Sequence, residues 1–209
     1  VADTTSFSHP LSPLEARVRA WAEARLSPER LVHTAGVVET AARLAQRHGV
    51  GHVASLRLAG WIHDAAKALP RAELLRLAEQ MGYPIRAIER HEPLLLHGPA
   101  AVWLARAELG LDDAIMASAV MLHTTGDSSM STADKVFYLA DGLEPSRTFP
   151  WVAQGRSLAE EDIDRALLFV LSNKLRRLLH KGAIIDPRAI ELRNRLLLDG
   201  VAFGPREDA

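Results

Sequence analysis

The sequence predicts an all-α protein, a helical bundle extended by a C-terminal helical annex. Helix start and stop signals recur along the whole 209-residue chain. Apolar residues return at helical intervals, as Leu31, Val38, Ala42 and Ala45 do. Alternating β-branched runs are almost absent, and no two-residue turn joins any such pair.

Ser12-Pro13-Leu14-Glu15 reads as an N-cap, a proline at the first helical position and a capping-box glutamate. Ser27-Pro28 repeats the cap and the proline, and its helix should run to Gly49, a natural C′ residue. A third helix is expected over about 52–69, stopped by Pro70. Further helices fit 71–81, 98–109, 112–124 and 132–143. Ser157 with Glu160 should open a long helix reaching about 181, before Gly182. Asp186-Pro187 opens the last, closed near Gly200. Loops are short except 126–131 and 144–154, both beside the candidate chemistry.

Hydrophobic residues make up 48% and charged residues 24%, the balance of a globular chain long enough for one sizeable core. A net charge of −1 argues against a protein that wraps nucleic acid, though it leaves room for a local basic pocket. The absence of cysteine excludes disulfides, thiolate zinc sites and cysteine nucleophiles. Any metal must therefore use histidine nitrogen and carboxylate oxygen, which suits iron, manganese or zinc. No apolar run approaches the ~20 residues of a membrane span. Residues 1–10 are polar and lack a signal-peptide core, so the expectation is a cytoplasmic protein with no membrane partner.

The candidate chemistry centres on His63-Asp64, read as lying inside an otherwise apolar helix over 56–69. Adjacent helical residues point about 100° apart, so both reach one metal only if it sits between them. Lys67 shares that side and would suit a bound phosphate. A buried His–Asp hydrogen bond beside a solvated lysine fits the same residues. His33, among Leu31, Val32, Ala35 and Val38, faces inward, and Arg30 shares its face. A core histidine satisfied by hydrogen bonding and an exposed helix-start arginine are the plainer alternatives. Asp141 closes an apolar helical stretch, so it must be paired, capped or metal-bound. His97 stands at a helix mouth and His123 at a helix end, and each would serve a second metal, a phosphate oxygen or a cap. His9, His48, His52 and His180 look peripheral, and His91 stays undecided. There is no zinc-finger spacing, no HExxH and no P-loop.

The series His33, His63-Asp64, Asp141 resembles the H…HD…D signature of the HD phosphohydrolase superfamily. The longer words are more specific: LVHTAGVVETAARLA, AGWIHDAAK, LLLHGPAA and MLHTTGDSSMSTADKVFYLADGLEPSR. Together they resemble the YqeK family of symmetrical bis(5′-nucleosyl)-tetraphosphatases over about 27–147. The resemblance implies one HD-type domain over 1–209, a helical bundle with core about 27–147 and annex about 150–200. It implies hydrolysis of diadenosine tetraphosphate to two ADP. It also implies that His33, His63, Asp64 and Asp141 bind one divalent metal, iron first, with manganese or another ion as substitutes. Lys67, His97, His123 and Arg147 would face the nucleotide phosphates or a second metal held by His97 and His123. Thr34, the run Asp127-Ser128-Ser129 and Gly142 depart from the family's usual residues.

The expected catalytic set is Asp64, Lys67, His97 and His123, with Asp64 or Asp141 orienting water and His97 or His123 protonating the departing ADP. Arg30, His33, Lys67, His97, His123, Thr124, Asp141 and Arg147 are the expected substrate contacts. The expected partner is a small dinucleoside polyphosphate or ADP, with homodimerisation left open. The competing readings are another HD phosphohydrolase acting on a nucleoside monophosphate or cyclic nucleotide, a nucleotide sensor with an idle metal site, and a structural helical adaptor.

Overall fold

Ser12 and Ser27 act as the sequence anticipates, each accepting from the backbone N–H three residues on, with proline at the first helical position. The structure, a computed structural model, describes residues 11–202, so the polar stretch 1–10 with His9 lies outside the described residues. The helices are α1 (Pro13–Glu23), α2 (Pro28–Arg47), α3 (Val53–Ile62), α4 (Arg71–Gln80), α5 (Ala87–His91), α6 (His97–Leu109), α7 (Ala114–Leu122), α8 (Thr132–Leu143), α9 (Val152–Glu161), α10 (Ile163–His180) and α11 (Pro187–Leu198). A short 3-10 helix, Pro93–Leu96, leads into α6. No strand occurs among the described residues, so the all-α expectation holds.

Three expectations need correction. Glu15 does not serve as a capping-box carboxylate. It is buried and accepts from Arg57 Nε at 2.9 Å and Trp61 Nε1 at 3.1 Å, locking α1 onto α3. The third helix stops at Ile62 rather than 69. Beyond it the backbone tightens into turns closed by Ala65 N–H to Ile62 C=O and Lys67 N–H to Asp64 C=O, at 3.0 and 2.9 Å. His63 is therefore the C-cap of α3, still with helical dihedrals, and Asp64 lies in the first of the turns beyond it. The long helix expected from Ser157 is instead two. Asp162 takes an extended backbone (φ −154°) and caps α10 by accepting from the Asp164 and Arg165 N–H groups. Residues 152–161 belong to α9, so the expected 144–154 loop is shorter.

Helix α8 is the centre of the bundle, with α2, α3, α7, α9 and α10 packed on it. Phe137, Tyr138, Leu139 and Ala140 are all buried, so this helix is apolar all round at its middle. That burial carries Asp141, one residue later, to the inner edge of the core. Gly60 sets the α2–α3 crossing: a Cβ there would lie 2.5 Å from Val38 Cγ2 and 3.0 Å from Val38 Cα. The annex helices return to the bundle, α10 along α8 and α11 against α10. Asp186 pins the start of α11, accepting from both terminal nitrogens of Arg86 at 3.1 and 2.6 Å and from Arg188 at 3.1 Å.

Candidate metal centre

Five helices deliver the site. His33 comes from the second turn of α2, His63 and Asp64 from the end of α3, and His97 from the start of α6. His123 follows the last residue of α7, and Asp141 lies in the last turn of α8. His33, His63, Asp64, His97 and His123 are all buried. Among the described residues two compact ligand groups stand out, His33–His63–Asp64 and Asp64–His97–His123, with donor atoms in each within 4.8 Å of one another. Asp64 belongs to both.

The ring tautomers follow from local hydrogen bonds. His63 Nδ1 lies 2.7 Å from the Gly60 carbonyl, His97 Nδ1 2.6 Å from that of Leu94, and His123 Nδ1 2.6 Å from that of Val120. In each case the acceptor is three residues earlier, a carbonyl close to where a regular helix begins or ends. A carbonyl only accepts, so each Nδ1 must donate, and in the neutral ring Nε2 keeps its lone pair. His33 Nδ1 donates in the same way to Glu144, at 2.9 Å.

The four Nε2 atoms then converge. His33 and His63 meet Nε2 to Nε2 at 3.3 Å, and His97 and His123 at 3.0 Å. Asp64 Oδ1 is 3.6 Å from His63 Nε2 and 3.4 Å from His97 Nε2. Lone pair faces lone pair or carboxylate, an arrangement that is repulsive by itself and complementary to a cation. Nitrogen and oxygen donors, fixed Nδ1 protons and full burial together fit a divalent transition metal. Such an ion is what HD domains bind.

The charges around the site agree. Burial would push the Asp64 carboxyl up, but the neighbouring His63 and His97 rings and the Lys67 ammonium outweigh it and hold Asp64 well below the usual carboxylate range. Lys67 Nζ lies 3.0 and 3.1 Å from the two Asp64 oxygens, and Arg30 lies 2.7 Å from Oδ2. Burial keeps His63 and His123 below the ordinary histidine range, hence neutral and able to ligate. Asp141 Oδ1 lies 3.3 Å from His33 Nε2 and 2.8 Å from Arg147. It too is ionised: burial opposes this, and His33, Lys174 and Arg147 overcome it.

Every expected site residue thus falls in one neighbourhood. Asp141 touches His33 but stands outside the two compact groups, and Arg147 bridges Asp141 and His33, with its second contact at 3.4 Å. Arg30 and Lys67 are counter-ions of Asp64, and Lys67 also lines the adjacent cavity. Thr124 Oγ1 lies 3.2 Å from His123 Nε2. The Asp127–Ser129 turn does not line that cavity. Asp127 instead accepts from the Ser129 N–H and hydroxyl at 2.9 and 2.7 Å. Residue reading missed Glu144, whose carboxylate holds the His33 ring. Its signal was its place three residues after Asp141 on the same helical face.

A cavity of about 670 Å³ opens from this cluster. Lys67, His97, His123 and Asp141 form its inner end, and Leu171, Lys174 and other residues of α10 form one wall. His91 also lines it.

The HD domain family profile matches residues 30–146, and the chain belongs to this family. The chain is 34% identical to a symmetrical bis(5′-nucleosyl)-tetraphosphatase of Bacillus subtilis over 78% of its own length and 87% of that protein's. It is 35% identical to the protein of that name from Halalkalibacterium halodurans, covering 83% of this chain and 92% of the relative. Its structure resembles the crystal structure of an HD superfamily hydrolase from Clostridium acetobutylicum, described as involved in NAD metabolism. The TM-score is 0.84 at 34% identity, covering 88% of this chain and 97% of the other.

Proposed function

We propose that this chain is a metal-dependent symmetrical bis(5′-nucleosyl)-tetraphosphatase, cleaving diadenosine tetraphosphate to two ADP. The observation that carries the reading is the convergence of four Nε2 lone pairs on the Asp64 carboxylate beside a cavity of nucleotide size. The names of the relatives supply the substrate.

His33, His63 and Asp64 would hold one divalent ion with Asp141 completing the set, and Asp64, His97 and His123 a second. Iron is the first choice, from the resemblance and the nitrogen and oxygen donors, with manganese as a substitute. When bound, such an ion supplies Lewis acidity toward a phosphoryl oxygen and a water acidified toward neutral pH. Lys67, Arg30 and Arg147 then neutralise the nonbridging oxygens, the main task in phosphoryl transfer. The central P–O–P link breaks, water oxygen bonds to one phosphorus as its protons pass to solvent, and the bridging oxygen leaves with the other ADP. That leaving group needs charge neutralisation more than a proton. We therefore assign His97 and His123 to ligation rather than to acid catalysis, since their Nδ1 protons are committed to carbonyls.

The test is chromatography of products from diadenosine tetraphosphate with the iron- or manganese-loaded protein. ADP alone is expected. ATP with AMP, or no turnover with any divalent metal, would refute the proposal.

A further inference from the structure

Helix α10 lies beyond residue 146, where the HD profile match ends. It nevertheless builds a wall of the cavity. Lys174, Arg177 and Lys181 reach that wall at helical spacings of three and four, so they form one row on one face. From first to last the row rises about 10 Å along the helix axis, a reach suited to several linked phosphates.

The inner end of the row meets the metal centre. Lys174 Nζ lies 3.7 Å from Asp141 Oδ2 and 3.9 Å from the centroid of the Tyr138 ring. Gly142 lets α8 approach Val170 of α10, since a Cβ there would lie 3.3 Å from Val170 Cγ1, and it would only touch Lys174 Cε, at 3.7 Å. Farther out, Arg177 stacks over Phe149 at 5.0 Å. Among the described residues neither Arg177 nor Lys181 has a side-chain ion pair with a carboxylate. This differs from most arginines of the chain: Arg19, Arg25, Arg43, Arg76 and Arg195 each meet an acid. Leu171, Leu175 and Leu178 line the same wall and keep it otherwise apolar, which strengthens attraction to an anion.

We propose that Lys174, Arg177 and Lys181 form a phosphate rail that sets chain-length specificity. It receives the phosphates on one side of the scissile link and favours dinucleotides with four or more phosphates over shorter ones. The role in turnover rests on the proposed hydrolase reading, whereas the rail's affinity for polyphosphate does not.

The experiment uses the full, metal-loaded chain and the exposed-site double variant Arg177→Gln/Lys181→Gln, with Lys174→Gln alongside. Calorimetric binding of inorganic tripolyphosphate is measured first. The double variant should bind about tenfold or more weakly with its metal content unchanged. Unchanged affinity overturns the rail. Steady-state kinetics then compare diadenosine tri-, tetra- and pentaphosphate. The variant should raise KM for the longer substrates far more than for the triphosphate and narrow their kcat/KM ratio, a change that a purely structural role would not cause. An unaltered ratio overturns the specificity role. If the wild-type protein turns over none of these, the hydrolase reading falls, and the tripolyphosphate titration still decides whether the rail binds phosphate.

Discussion

His97 Nε2 lies 3.0 Å from His123 Nε2, and both rings have their Nδ1 tied to a carbonyl three residues back. Two lone pairs held that close need a cation between or beside them. Replacing either ring with alanine should reduce bound metal per chain while leaving the His33–His63 pair intact. Elemental analysis of the purified variants checks this. Undiminished metal in both would remove this pair from the ligand set.

Asp64 serves both ligand groups. Asp64→Ala should therefore abolish metal content and hydrolysis together. Far-ultraviolet circular dichroism should stay near wild type, because the freed partners Arg30 and Lys67 are part-exposed and can turn to water. A variant with full activity would sink the site.

The α2–α3 crossing that brings His33 to His63 depends on Gly60. An added Cβ would meet Val38 backbone and side chain, an overpacking that costs about 1–3 kcal/mol. Gly60→Ala should lower Tm by several degrees and weaken metal retention at the His33–His63 pair. Thermal melts with and without added metal would read both effects. A variant that melts like wild type would show that the helices adjust freely.

Acid should loosen the annex through Asp186. Asp186 is pulled down to about 2 from its ordinary 3.8: burial opposes this, and Arg86 then Arg188 outweigh it. A depressed carboxyl stabilises the fold above its ordinary value and loses that contribution as pH falls through the folded one. The contribution of Asp186 is therefore complete above about pH 4 and fades toward pH 2. Asp186→Asn should flatten the stability loss across that window and destabilise the protein at neutral pH. Urea titrations between pH 2 and 7 measure it, and identical slopes for variant and wild type would count against the assignment.

Much of this was legible in the residues because it is local. Ser12, Ser27, Ser131 and Asp186 cap helices through side chains two or three residues from their partners, and Pro and Gly punctuate the same ends. The end of α3 was not legible, because 56–69 keeps a mainly apolar helical pattern with no proline before Pro70, and its one glycine, Gly60, lies inside the helix rather than at its end. Nothing in that stretch says where helical bonding gives way to the tight turns that aim His63 and Asp64. Asp162 was overlooked because a capping aspartate inside a long polar-apolar pattern looks like any exposed residue.

The types of ligand, the lack of thiols, the helical fold and the family signature were set by residue identity and near-neighbour spacing, which act over a few residues of chain. Other features came only with the folded arrangement. These include how the Nε2 atoms come to face one another in pairs, how Asp64 joins two ligand groups, and how Glu144 steadies His33. The approach of Lys174 from the annex belongs with them. Each is a contact between segments 26 to 111 residues apart, or depends on one. Such contacts are decided by how helices cross and by what space a residue such as Gly60 leaves, and linear spacing carries no record of either.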